Sequence, residues 1–82
     1  MSNDSELWNE LTLVFRDVFQ DENLELTTST KNSDIDQWTS LNHALLIDAL
    51  EQKFNIEFEI DEILSMHSVN DIFNTIRKKK NE

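Results

Sequence analysis

The 82-residue chain contains no cysteine, no glycine and no proline. Without cysteine there is neither a disulfide framework nor a thiolate metal site. The other two absences bear on fold class. Glycine supplies positive φ and proline presets a turn, so sheets and tight loops usually draw on one or both. A chain with neither is most readily built from helices, its turns made by Asn, Asp, Ser and Thr. Long apolar runs are missing as well: no stretch approaches the ~18 residues of a membrane span. The opening "MSNDSELWNE" is polar and acidic rather than basic then apolar, which predicts no secretory leader and a cytoplasmic protein.

Positive charge is the next scarcity. Residues 1–76 hold 16 acidic and 3 basic side chains, a net of −13, whereas residues 77–82 hold 4 basic and 1 acidic, a net of +3. Such a surface repels phosphate backbones, which argues against nucleic acid as a partner. Basic proteins are steered toward it instead. A domain this short buries only ~60% of its unfolded surface, so a deep enclosed active site is not expected. Residues 1–82 read as one domain, without internal repeat or low-complexity tract.

What is present is helical periodicity. Leu7, Trp8, Leu11, Val14, Phe15, Val18 and Phe19 form one wide apolar stripe, predicting a helix of about four turns that ends near Gln20 to Glu22. Ser5 suits its N-cap, with Glu6 and Glu10 near the positive end of the dipole. Residues 22–39 show no sustained period and predict a long loop, pinned to the core by Leu24, Leu26, Ile35 and Trp38. From Ser40 to Phe54 the pattern is helical again, with Leu46, Leu50 and Phe54 along one face and Leu41, Leu45 and Ala49 beside it. Asn55 tolerates the left-handed position that ends such a helix. "NIEFEI" alternates, but a lone strand has no pairing partner, so it reads as an extended connector turning Ile56, Phe58 and Ile60 inward. "DEILSM" forms a short helix. The last helix opens with Ser68 and Asp71 in capping-box spacing and buries Val69, Ile72, Phe73 and Ile76. The expected architecture is an all-α four-helix bundle with a long first loop and a short third helix.

Few residues offer chemistry. Ser40 and His43 share a helix face, but a nucleophile also needs an oriented base and an oxyanion hole, which this chain does not supply. His43 reads instead as a partly exposed residue at the edge of the core. Two histidines, 43 and 67, lack a third placed metal ligand. "DENLELTTSTKN" puts Asp21, Asn23 and Glu25 at calcium-loop positions one, three and five, but Leu26 and Asn32 stand where Gly and a bidentate Glu are needed. The terminal "RKKKN" reads as a fraying helix end whose cations complement the dipole. That leaves the second helix, where six of the seven residues from Ala44 to Leu50 are apolar. A helix with one buried stripe should be polar over about half its circumference. Some of Leu41, Leu45 and Ile47 therefore face the loop or a partner, ringed by Asp48 and Glu51. The unpaired N–H groups at the start of that helix favour a phosphate beside Ser40.

The stretch "WTSLNHALLIDALEQKFNIEF" closely resembles the modification helix of acyl carrier proteins, "LTLVFRDVF" is similar to that family's first helix, and "SVNDIFNTI" to its last. The resemblance spans the whole chain and implies a small four-helix bundle of acyl-carrier type that is not an enzyme. It implies that Ser40 carries 4'-phosphopantetheine, donated from coenzyme A by a Mg²⁺-dependent phosphopantetheinyl transferase. The arm would hold acyl or related groups as thioesters for fatty-acid, polyketide or other specialised biosynthesis. Thr39, Leu41, Ile47, Asp48 and Glu51 match positions that dock acyl-loading and acyl-processing enzymes bearing basic patches, and a monomer is expected. The family resemblance also implies that an apolar cargo could slip among the helices. Two departures stand out: Thr39 replaces the usual Asp, and Asn55 the usual Gly. The reading from another class is an unmodified acidic adaptor that docks a basic protein.

Overall fold

The computed structural model describes residues 4–80. Four helices follow one another: α1 (Asp4–Phe19), α2 (Ser40–Phe54), α3 (Ile60–Ser65) and α4 (Val69–Lys80), with a 3₁₀ turn at Asn32–Asp34 in the first loop. Among the described residues no strand forms, only an isolated antiparallel bridge between Lys31 and Ser68. The all-α expectation holds, as do the long loop and the short third helix.

α1 buries Leu11, Phe15 and Phe19 at steps of four, the spacing that keeps side chains on one helix face. Leu7, Trp8, Val14 and Val18 pack at the margins of the same core. Asp4 and Ser5 are already helical, so Ser5 is not the cap its chemistry suggested. The helix ends with Gln20 at φ 53° and the Asp21 N–H bonded to the Arg16 carbonyl at 3.0 Å. α2 ends the same way, with Asn55 at φ 56° and the Ile56 N–H on the Glu51 carbonyl at 3.1 Å. These are two left-handed terminations without glycine, each satisfying a carbonyl the helix would leave orphaned.

α1 packs against α2 and α4. Leu46, Ile47, Leu50 and Phe54 from α2 and Val69, Ile72 and Ile76 from α4 complete the core. Removing one such side chain typically costs about 2–5 kcal/mol. The long loop lies on this core through Leu26, Ile35 and Trp38, each no more than 9% exposed. Trp38 meets Phe15 edge to face at 5.4 Å, and Phe15 meets Phe19 the same way at 5.5 Å. Backbone bonds from Asn32 N–H to the His67 carbonyl and from Val69 N–H to the Thr30 carbonyl tie the loop to the α3–α4 connection.

Three details differ from expectation. In the connector, Phe58 is buried and Ile56 partly so, but Ile60 is 73% exposed. Ile60 is the first residue of α3, so the alternation of an extended segment ends before reaching it. The basic end of α4 does not fray within the described residues. Arg77 pairs with Asp4 at 3.1 Å, and Lys79 pairs with Glu62 of α3 at 2.9 Å while its ammonium lies 6.0 Å from the Phe58 ring. The cations clamp α4 to α1 and α3. At the other end of α4, the Ser68 hydroxyl accepts the Asp71 N–H at 3.1 Å, but the Asp71 carboxylate reaches the His67 N–H rather than that of Ser68.

Candidate functional site

α2 begins where the loop turns away from the core. Trp38 is buried and the next two residues, Thr39 and Ser40, are exposed. Thr39 has extended dihedrals, φ −86° and ψ 172°, and its Oγ1 accepts the Asn42 N–H at 3.1 Å. The Asn42 side chain in turn donates to the Gln37 carbonyl at 2.7 Å, bracing the turn from the other side. Thr39 is therefore the N-cap. Ser40, at the first helical position, is spared that task, and its hydroxyl has no hydrogen-bond partner among the described residues. The serine stands in solvent at the positive end of a 15-residue helix, where an attached phosphate is electrostatically favoured.

The outward face of α2 is more apolar than acidic. Leu41 is 70% exposed and Leu45 50%, and on α3 Ile60 and Leu64 reach 73% and 70%. Asp48 is exposed, its carboxylate accepting from Gln52 at 3.1 Å. Ile47 does not join them. It is 4% exposed because it lies one residue past Leu46 and three before Leu50, inside the arc those residues turn to the core. Glu51 is only half available, since its Oε2 accepts the Phe58 N–H at 2.8 Å and so anchors the connector. Of the five residues matched to docking positions, Thr39, Leu41 and Asp48 are on the surface, Ile47 is in the core and Glu51 has a structural partner. Leu45 is one of the α2 residues whose apolar run signals an outward face, whereas the exposure of Ile60 and Leu64 on α3 has no such signal in the sequence.

His43 has a more definite place than the sequence suggested. The Trp38 Nε1–H donates to its Nδ1 at 2.9 Å, and its Nε2 lies 3.0 Å from the Ile63 carbonyl. The indole can only donate and the carbonyl can only accept, so one neutral tautomer, protonated at Nε2, satisfies both. The two rings lie nearly parallel, 23° apart, with centroids 6.1 Å from each other. No spacing rule could have shown this, because the partner is a backbone oxygen 20 residues away. An open groove of about 370 Å³ lies against Ser40 and His43, walled by Ala44 on one side and Ile63 and Leu64 on the other. Among the described residues no cluster of acids and histidines is arranged to hold a metal ion.

No protein-family model matches the sequence, and no curated protein matches it. Among solved structures, the fold matches that of a holo acyl carrier protein from Geobacter metallireducens, determined in solution by NMR. The TM-score is 0.81 and the identity 39%, over 87% of this chain and 82% of that one. No helix among the described residues is long and apolar enough to cross a membrane. With shared helix order, a long first loop and this level of identity over most of both chains, the protein belongs to the acyl carrier protein family and is a carrier, not an enzyme.

Proposed function

We propose that Ser40 is the attachment point for 4'-phosphopantetheine, donated from coenzyme A by a phosphopantetheinyl transferase, and that residues 1–82 act as one cytoplasmic, monomeric carrier domain. The observation that carries this is the division of labour at the mouth of α2. Thr39 holds the cap, and the neighbouring hydroxyl is exposed and uncommitted. The residues present suit the group. A phosphodiester on Ser40 Oγ would lie at the free N–H groups and positive dipole of α2, and the adjacent groove gives the start of the arm a surface to follow. When attached, the arm supplies a terminal thiol that holds an acyl group as a thioester. The protein's own residues position the hydroxyl and present a docking face. Leu41, Leu45, Ile60 and Leu64 offer apolar contact, while Thr39 and Asp48 add polar contact and charge. The overall net charge of −10 steers basic partner enzymes of fatty-acid, polyketide or other specialised biosynthesis toward it.

The test is to incubate the protein with coenzyme A, Mg²⁺ and a broad-specificity transferase, then weigh the intact chain. The mass should rise by one phosphopantetheine moiety, and Ser40→Ala should abolish the gain while remaining folded. A gain that survives Ser40→Ala, or none with any transferase, refutes the assignment.

A further inference from the structure

Resting on the carrier reading, we infer that His43 closes the seam between α2 and α3 below the attachment serine, so that this carrier holds a short acyl cargo at its surface and does not draw a long chain into its core. The two walls of the groove beside Ser40 are α2, through Ser40, His43 and Ala44, and α3, through Ile63 and Leu64. One hydrogen bond joins those walls directly, from His43 Nε2 to the Ile63 carbonyl at 3.0 Å. The same imidazole is fixed from behind by the Trp38 indole N–H at 2.9 Å, and Trp38 is itself wedged at 8% exposure against Phe15 and Phe19. Loop, α2 and α3 are thus connected in series through one side chain.

Parting α2 from α3 at this level would orphan two groups together. The Ile63 carbonyl lies in the last turn of a six-residue helix and has no helical partner there. The imidazole Nε2–H would lose its acceptor, while the bond from the Trp38 indole to Nδ1 stays on the α2 side. In the core, Phe15, Leu46 and Leu50 have no exposed surface, so no water-sized space adjoins them. The groove itself is mixed in character, with Asn32, Thr39 and His67 among its lining residues beside Met66 and Leu64. It is open to solvent along its length, so an acyl group lying in it stays at the surface. His43 acts as a positioning residue that sets cargo length, and it does not touch the reacting thioester.

Chain-length dependence of stability tests this. The transferase is used to load acetyl- and octanoyl-phosphopantetheine onto the wild type, His43→Ala and His43→Gln, each confirmed by intact mass, and the melting temperatures are compared. Burying even three or four methylenes should raise the melting temperature by about 10 °C or more. For the wild type the octanoyl and acetyl forms should agree within about 2 °C. His43→Ala should open the seam, so that its octanoyl form melts well above its acetyl form. His43→Gln, whose amide can accept from Trp38 and donate to Ile63, should restore the wild-type pattern. That rescue separates a seam-closing role from a general effect on folding. An octanoyl chain that stabilises the wild type by about 10 °C overturns the inference and leaves the carrier assignment standing. Equal behaviour of all three proteins overturns the role of His43. Failure to load any acyl group overturns the carrier assignment beneath it.

Discussion

Adjacent hydroxyls at the start of α2 give the sharpest test of the reasoning. The Thr39 side chain is exposed, so replacing it with Ala removes almost no buried surface. What disappears is the 3.1 Å bond from the Asn42 N–H to Oγ1, one of the four donors that the helix start cannot satisfy internally. Loss of such a cap costs about 1 kcal/mol. In a domain of this size that lowers the melting temperature by about 4–8 °C. Ser40→Ala, one residue on, removes a hydroxyl with no hydrogen-bond partner among the described residues and introduces the best helix former, so the melting temperature should move by less than about 2 °C. Thr39→Ser keeps the oxygen and should stay close to the wild type. Thr39→Asp should match or exceed it, since an ionised carboxylate at a helix N-terminus adds about 0.3–1 kcal/mol. The assay is thermal denaturation of the unmodified protein followed by circular dichroism. If Ser40→Ala costs as much as Thr39→Ala, the serine is the cap and the freedom ascribed to its hydroxyl is wrong.

Substitutions at two further positions probe how α3 and its connector are held. The Glu62 carboxyl is kept below its ordinary value, first by the Glu59 backbone N–H at 2.8 Å and then by Lys79 at 2.9 Å. Because the folded state lowers its pKa, Glu62 contributes stability above its ordinary value near 4.5, and that contribution is lost as the pH falls through the lowered native value. Glu62→Gln should therefore cost less than about 1 kcal/mol at neutral pH, and the difference in urea midpoint from the wild type should close in acid; a pH-independent difference refutes the linkage. For Glu51, whose carboxylate accepts the partly buried Phe58 N–H, Ala should cost about 1–3 kcal/mol and Gln clearly less, because Gln retains an acceptor oxygen. Equal losses in chemical denaturation would show that the bond to the connector carries no stability.

Much of this architecture is legible in the residues because periodicity and burial agree. Leu11, Phe15 and Phe19 announce both the first helix and its inward face, and Val69, Ile72 and Ile76 do the same for the last. The second helix is harder to read. With six of seven residues apolar between Ala44 and Leu50, hydrophobicity alone does not mark the inward face. Only the phase set by Leu46, Leu50 and Phe54 places Ile47 beside the buried arc and Leu45 away from it. Ile60 was misplaced for a related reason: alternation foretells a side chain's direction only while the backbone stays extended, and α3 starts there. At the candidate site, the exposed serine and its capping neighbour follow from local rules of helix termini. The His43 contacts do not, since they join a loop indole, a helix imidazole and a distant carbonyl that only the folded chain brings together.

The brevity of α3 has a consequence for where the molecule yields. Its six residues include none that is buried, and so short a helix cannot sustain itself alone. Its amide protons should exchange with solvent through local openings well below the free energy of global unfolding, while those of α1 and α4 wait for the whole bundle to come apart. The molecule thus has two tiers of persistence, a durable frame of α1 and α4 and a short α3 whose opening must break the His43–Ile63 bond and the Glu62–Lys79 pair.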